Sequence, residues 1–246
     1  MLASDDLREF VGAPAQVVDG NLIFNHGQLD PGSVKIRFSG KGNIVFIPQG
    51  VEIKNTHVDF RSSNGIVFLG SNHLRARVMV GHGSVVYVGA QTTFTSACQI
   101  TAAEGRDVLI GERCTIAENV YITNTDGHPI FDEDGTRINP GRDIFIGESV
   151  WIGRNVQILK GARVHSGSVI GANSILTKAV PANSLSVGAP ARILRRNISF
   201  SRQTTVRHPA AHFDGLGKPA LFAEDHLPGV ELLPAIRALA ADVLVR

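Results

Sequence analysis

Aliphatic residues recur at every sixth position over the second half of the chain. A second apolar or small residue lies two positions before each of them, and glycine follows directly at three places. The recurring residues are Ile146, Ile152, Ile158, Val164, Ile170 and Leu176, preceded by Ile144, Val150, Val156, Ala162, Ser168 and Ser174. The same frame occurs earlier, at Ile110, Ile116 and Ile122 and at Val88, Phe94 and Ile100.

A period of six does not fit an α-helix, whose apolar face recurs every 3.6 residues, and hairpin strands alternate in twos. Six residues fit a short strand and a tight corner, with one bulky side chain pointing inward. Three such units close a triangular coil of about 18 residues, and stacked coils bury a continuous aliphatic column. A β-sandwich is the usual fold for a chain rich in Gly, Val and Ile, but it would not keep this phase over six consecutive hexads.

The pattern divides the chain into three parts. Residues 1–80 contain apolar runs in which the phase slips, and we expect irregular N-terminal coils there. Residues 81–190 form the regular column, and residues 191–246 contain a closing segment, an aperiodic tail and a helix. Apolar residues at helical spacing predict that helix, with Pro234 near its first turn. We expect it to cap the column or to pack on a neighbouring subunit.

One polar insertion, residues 125–143, interrupts the hexads and contains a single histidine, His128, followed by Pro129. Ordered insertions on rigid scaffolds commonly carry function. The chain's only tryptophan, Trp151, follows shortly after the hexads resume and should point outward, because it precedes the inward Ile152. The insertion is therefore the first candidate for an active site.

Composition narrows the class of protein. The net charge of +2 over 246 residues argues against a dedicated nucleic-acid binder. Two cysteines are too few for a disulfide framework and indicate a reducing compartment. The N-terminus lacks the apolar core of a signal peptide, and no run of 18 apolar residues occurs, so we expect a cytoplasmic protein without a membrane span.

The segment from about residue 81 to 190 resembles the hexapeptide-repeat acyltransferases, which are left-handed parallel β-helices. The resemblance depends on the hexads together with GHP at 127–129, VWIG at 150–153 and VGAPARILR at 187–195. Within that family the combination is most similar to the O-acetyltransferases of bacterial capsular and other surface polysaccharides. It implies an all-β fold, acetyl-CoA as cosubstrate, a carbohydrate acceptor, a homotrimer and no metal.

The resemblance also implies that His128 is the catalytic base. A sugar hydroxyl is a poor nucleophile at neutral pH, whereas imidazole, with an ordinary pKa near 6.5, can accept its proton during attack on a thioester. Trp151 is implied to line the active site, where its indole stacks on substrate, although packing between subunits is an equal alternative. Asp126 is a weaker candidate for orienting the imidazole, and the other histidines are expected to be solvated.

In similar acetyltransferases CoA lies along a groove between columns, and basic residues meet its phosphates. Carried over by motif, the cosubstrate-binding residues are Arg154, Ala172, Thr177, Lys178, Arg192 and Arg195. Galactoside-type enzymes hold their acceptor with an asparagine that this chain lacks. The comparable region offers only Ser96, Cys98, Gln99 and Thr101, which favours a polysaccharide over a small sugar.

Three other functions stay open at this point. N-acetylation of an amino sugar would use the same histidine. A non-catalytic β-helix for binding or assembly would not need the His-Pro loop and the basic closing segment together. A zinc enzyme of the γ-carbonic anhydrase type needs closely spaced histidines on the coils, and the coils offer no His-x₄-His pair.

Overall fold

The chain folds into a three-sided column of short strands. The computed structural model describes residues 7–71, 74–96, 98–203, 205–207, 209–214 and 220–245. Successive strands along the chain visit the three faces in turn, and each strand pairs with the strand one coil away on the same face. These neighbours are parallel, apart from an antiparallel pair at each end of the described column. The predicted fold class, a left-handed parallel β-helix, is confirmed.

The nine-stranded face contains β1 Gln16–Val18, β2 Asn21–Asn25, β5 Ile44–Ile47, β8 Ile66–Leu69, β10 Val85–Val88, β13 Val108–Ile110, β16 Ile144–Ile146, β19 Arg163–Val164 and β22 Ala179–Val180. The seven-stranded face contains β4 Lys35–Phe38, β7 His57–Phe60, β9 Ala76–Val80, β12 Cys98–Ala102, β15 Tyr121–Thr123, β18 Gln157–Leu159 and β21 Ile175–Leu176.

The six-stranded face contains β11 Thr93–Phe94, β14 Thr115–Ile116, β17 Trp151–Ile152, β20 Val169–Ile170, β23 Leu185–Gly188 and β24 Ala191–Arg195. A separate parallel pair, β3 Gln28–Leu29 and β6 Glu52–Ile53, takes the corresponding place in the first coils.

The predicted hexad residues fill the inside of the column. Ile146 lies opposite Val164, and Ile158 lies opposite Leu176, so each of these coils takes 18 residues. All twelve recurring aliphatic or aromatic positions are at most 3% exposed. The earlier coils are longer: Ile44 lies opposite Ile66, a step of 22 residues. Extra polar residues at the corners account for the slip of phase in the N-terminal part.

The nine-stranded face is buried on its outer side as well. Its early strands read as unbroken apolar runs, IVFI, IVFL and VVYV, in which every residue is buried. Rings stack along that outer surface, with centroids 5.2 Å apart for Phe24 and Phe46 and 4.9 Å apart for Phe68 and Tyr87. Continuous apolar runs of this kind are typical of strands covered on both sides.

The C-terminal helix, Gly229–Val245, provides part of that cover. Ile236 is fully buried against the aromatic outer surface, together with Leu232, Leu239 and Val243. Arg237 fixes the helix through two bonds to the Asp107 carboxylate, at 2.7 and 2.9 Å. The helix lies along the side of its own column, so the expectation that it caps the column is wrong, and packing on a neighbouring subunit stays a prediction. A short helix, Ala210–Asp214, and a 3₁₀ turn, Thr205–Arg207, precede it.

Candidate active site

The insertion lies at the corner where the seven-stranded face meets the nine-stranded face. It leaves β15 and re-enters at β16, and both strands keep their register with neighbouring coils. At the same corner one coil later, residues 160–162 suffice to connect β18 to β19. The loop is therefore an addition to an undisturbed scaffold, which holds both of its ends.

The loop folds into a small hairpin of its own. Phe131 and Arg137 form an antiparallel bridge, and the Ile138 N–H donates to the Ile130 carbonyl at 2.9 Å. The Asp132 carboxylate closes the turn by accepting the backbone N–H groups of residues 134 and 136, at 3.1 and 2.8 Å. Chain reversal and side-chain capping together give the segment a defined shape.

Asn139 organises the part of the loop that contains the histidine. This side chain is only 7% exposed. Its amide nitrogen donates to the His128 carbonyl at 2.9 Å and to the Asp126 carboxylate at 2.8 Å, while its oxygen accepts from the Ile130 N–H at 2.6 Å. A single buried amide thus fixes the backbone on both sides of His128. Asn139 is not predictable from the sequence, because nothing there separates it from an ordinary turn residue.

Asp126 belongs to this framework and does not orient the imidazole. Its carboxylate forms an ion pair with Lys160, whose ammonium also donates to the Asn139 carbonyl at 3.1 Å. The hydrogen bond from Lys160, followed by that from Asn139, lowers the pKa of Asp126 below its ordinary value. Lys160 lies on the next coil, so this contact ties the loop to the column.

Glu104 ties the loop down at three points. Its carboxylate accepts from the Thr125 hydroxyl at 2.6 Å, from the Arg137 guanidinium at 2.9 Å and from the Gly141 N–H at 3.0 Å. These residues mark the start, middle and end of the insertion. The bond from Arg137 is the largest cause that lowers the pKa of Glu104 to about 2.

His128 stands exposed on this pinned loop. Its carbonyl is held, but its imidazole makes no hydrogen bond with any residue that the structure describes. Both ring nitrogens are thus open to an incoming hydroxyl. A fixed backbone and a free imidazole are what a general base requires.

Trp151 lies on the six-stranded face, which is opposite the corner that carries the loop. It is paired between Thr115 and Val169, points outward with 43% of its surface exposed, and lies 5.8 Å from the Phe200 ring. The outward orientation agrees with the sequence expectation. Within one chain, however, the column separates Trp151 from His128, so the two side chains can share a site only if a second chain supplies one of them.

The residues predicted to bind the cosubstrate are distributed along the column. Arg154 and Ala172 lie in successive coils at the corner between the six-stranded and seven-stranded faces. The coils stack closely there, because a Cβ on Gly153 would lie 2.7 Å from the Ala172 nitrogen. Arg154 forms an ion pair with Glu118 at 2.5 Å, and both side chains are largely exposed.

Thr177 and Lys178 lie exposed at the loop-bearing corner, in the coil beyond Lys160. Arg192 and Arg195 lie on β24, at the end of the six-stranded face. Within the described ranges no carboxylate pairs with Lys178, Arg192 or Arg195, so these charges are free for an anionic ligand. One chain does not gather the six predicted residues into a single site.

Other histidines form hydrogen-bond contacts within the fold or lie on the surface. His165 contacts the Val180 carbonyl within the column, and His226 ties the tail to the column through the Ser166 hydroxyl; each contact is made by Nδ1 at 2.8 Å. His57 is exposed on β7. His73 and His208 lie outside the described residues. The described part of the chain contains no group of three or more His, Cys, Asp or Glu side chains placed to hold a metal ion, and none of its helices is long and apolar enough to cross a membrane.

Comparison with known proteins shows the same architecture and similar sequences. A family model described as "Bacterial transferase hexapeptide (six repeats)" matches residues 143–178. A polysialic acid O-acetyltransferase of Escherichia coli O1:K1 is 41% identical over 133 residues, which are 54% of this chain and 43% of that protein. The crystal structure of the polySia-specific acetyltransferase NeuO superposes with a TM-score of 0.58 and 36% identity, covering 76% of this chain and 80% of that one.

The chain belongs to the hexapeptide-repeat acetyltransferases. A polysialic acid O-acetyltransferase of Neisseria meningitidis is also similar, with 34% identity over 125 residues, which are 50% of this chain and 58% of that protein. The chain spans about half the length of these curated relatives. The predicted resemblance to the capsular O-acetyltransferase branch of the family is confirmed.

Proposed function

We propose that this hexapeptide-repeat acetyltransferase transfers the acetyl group of acetyl-CoA to a sugar hydroxyl of a bacterial surface polysaccharide, with His128 as general base. The observation that carries the proposal is the exposed imidazole of His128, which bonds to no described residue and lies on a loop that Asn139, Lys160 and Glu104 hold in place. The similarity to two polysialic acid O-acetyltransferases supports a capsular polysaccharide as the class of acceptor.

The reaction needs one proton carrier. As the sugar oxygen attacks the thioester carbonyl, its proton passes to an imidazole nitrogen of His128. The tetrahedral intermediate then collapses, the C–S bond breaks, and the imidazolium returns the proton to the departing thiolate sulfur. The acyl group is already activated in the thioester, so the step requires no acyl-enzyme. Lys178, Arg192 and Arg195, which pair with no carboxylate of the described residues, support phosphate binding by the cosubstrate.

A homotrimer with sites between chains is part of the proposal. His128 and Trp151 lie on opposite sides of one column, and the predicted cosubstrate residues lie at separate corners. Neighbouring columns packed side by side would bring the loop of one chain against the six-stranded face of the next. Ile130, Phe131 and Ile138, each more than half exposed on the loop, support packing against such a neighbour.

The test is to replace His128 by Ala and to follow thiol release from acetyl-CoA in the presence of purified capsular polysaccharides. We expect turnover to fall about 10²–10⁴-fold, as for the removal of a general base. The melting temperature should not change, because the imidazole has no partner among the described residues. His82→Ala is the matched control.

Near-normal turnover of His128→Ala would remove this residue from the mechanism. The product bond separates O-acetylation from N-acetylation: mild base cleaves an ester and leaves an amide. A base-stable product would mean that the acceptor group is the amine of an amino sugar and not a polysaccharide hydroxyl.

A further inference from the structure

An arginine-lined pocket lies at the base of the histidine loop, on the side of the nine-stranded face. Its volume is about 280 Å³, and its lining consists of Arg106, Arg142, Asp143, Gly161 and Arg163. Small-molecule sites start at about 300 Å³, so the space suits one sugar residue. Three guanidinium groups face one carboxylate, and the pocket is therefore strongly cationic.

The local structure holds the arginines in place around this space. The Arg163 guanidinium lies 5.5 Å from the centre of the Phe145 ring, which it stacks upon. Arg142 lies over Gly161, where an added Cβ would come within 3.3 Å of its Nε; that glycine also has a φ of +81°, which disfavours any other residue.

The single carboxylate leaves most of this charge uncompensated. One oxygen of Asp143 accepts the Asp107 N–H at 2.9 Å, and the other lies 3.9 Å from Arg106, a distance too long for a hydrogen bond. Arg142 and Arg163 form no ion pair within the described part of the chain. Guanidinium groups bind carboxylates in pairs of parallel hydrogen bonds, so Arg142 and Arg163, together with the loosely paired Arg106, fit a carboxylate ligand.

The pocket adjoins the catalytic loop. Arg142 and Asp143 are the last residues of the insertion, and Gly161 directly follows Lys160, which contacts Asp126 two residues before His128. A polymer bound at the histidine would therefore place a neighbouring residue within reach of the arginines. The larger groove that Arg163 also lines contains Glu148, Asp225 and Glu231, so it is more acidic than the pocket.

We infer that Arg106, Arg142 and Arg163 form a subsite for the carboxylate of an acidic sugar residue next to the one acetylated. The inference rests on the proposed function and narrows its acceptor to carboxylated polysaccharides. The subsite positions the acceptor and does not take part in proton transfer.

Direct binding tests the subsite without turnover. Trisialic acid and trigalacturonic acid, each with its methyl ester, are titrated into the full chain by calorimetry without acetyl-CoA. We expect at least one acid to bind about tenfold or more tightly than its ester, as for the loss of one charge-assisted contact. The triple variant Arg106→Gln, Arg142→Gln, Arg163→Gln should lose that preference.

The matched control removes the same charge elsewhere, through Arg37→Gln, Arg77→Gln and Arg207→Gln, and should bind like the unaltered chain. Equal binding of acid and ester, or an unchanged preference in the triple variant, overturns the inference. CoA phosphates are the competing ligand: if CoA displaces the acid, and the triple variant weakens CoA equally, the pocket is a cosubstrate site and the inference fails. Carboxylate-dependent binding without any acetyl transfer would instead refute the proposed function and leave the subsite standing.

Discussion

Replacing Glu104 by Gln should loosen the loop of residues 125–143 while leaving the column intact. Glu104 belongs to the corner of an earlier coil, and its carboxylate accepts from Thr125, Arg137 and Gly141. Glutamine keeps one acceptor oxygen but presents an N–H₂ group where the second oxygen was. That group faces donors, so at least one of these hydrogen bonds is lost, and the charge that pairs with Arg137 disappears.

The expected cost follows from the number and exposure of these contacts. A hydrogen bond to a charged group contributes about 1.5–3 kcal/mol when buried, but an exposed ion pair contributes only about 0–1 kcal/mol. The side chains of Glu104 and Arg137 are 28% and 34% exposed, between the two cases. We therefore expect loop opening to become easier by about 1–2 kcal/mol, which is about a 5- to 30-fold change in the opening equilibrium.

Amide hydrogen exchange measures this equilibrium directly. The N–H of Gly141, which bonds to Glu104, and the N–H of Ile130, which bonds to Asn139, should exchange about 5- to 30-fold faster in Glu104→Gln. Amides of the column, such as that of Ile146, should not change. Glu133→Gln removes the same charge from the exposed hairpin tip and is the control. Equal protection of the loop in Glu104→Gln and the unaltered chain would refute the role of Glu104 as an anchor.

The same contact sets a pH dependence with a definite sign. The pKa of Glu104 in the folded chain is about 2, against an ordinary value of 4.5. Since the folded pKa is the lower one, the carboxylate stabilises the docked loop fully above pH 4.5, and this contribution is lost as the pH falls through 2. The difference in exchange between the unaltered chain and Glu104→Gln should thus be constant above pH 4.5 and disappear near pH 2.

Two further predictions concern the core. Ile236→Ala should lower the free energy of unfolding by about 2–5 kcal/mol in denaturant titrations, because Ile236 is fully buried. Leu244 on the same helix is half-exposed, so Leu244→Ala should lower it far less. Equal losses would contradict the packing of the helix on the column. Burial raises the pKa of Cys98 to about 11 and that of Cys114 to about 12. Both thiols should therefore resist a disulfide reagent at pH 8 until the chain is denatured. Rapid labelling of the native protein would contradict their burial.

The column could be predicted from the sequence because its rule is local and repeated. The side chains of Ile146 and Val164 point inward for the same reason, because each six-residue unit contains one aliphatic residue in the same place. Every repetition of the unit strengthens the prediction. The helix is a different case. Its apolar spacing identified the element but not the surface it covers, which is the outer side of the nine-stranded face at β16. The run IFI of β16 carried that information, since a strand that is apolar on both sides needs a cover on both sides.

The loop shows where sequence reasoning ends. The His-Pro motif indicates His128 as a candidate, whereas Asn139 and Glu104 act through contacts across 11 and 37 residues, which no local pattern encodes. Asp126, a weaker candidate for orienting the imidazole, bonds to Lys160 and Asn139 instead.

The position of Trp151 relative to His128 is set by the order of the three faces around the column, which no short motif records. The loop leaves between the seven-stranded and nine-stranded faces, so the six-stranded face that carries Trp151 is the one side of the column that its own histidine cannot reach. A role for Trp151 in the site therefore depends on assembly. Monomeric protein that retained full turnover, and that lost activity with Trp151→Ala, would contradict that dependence.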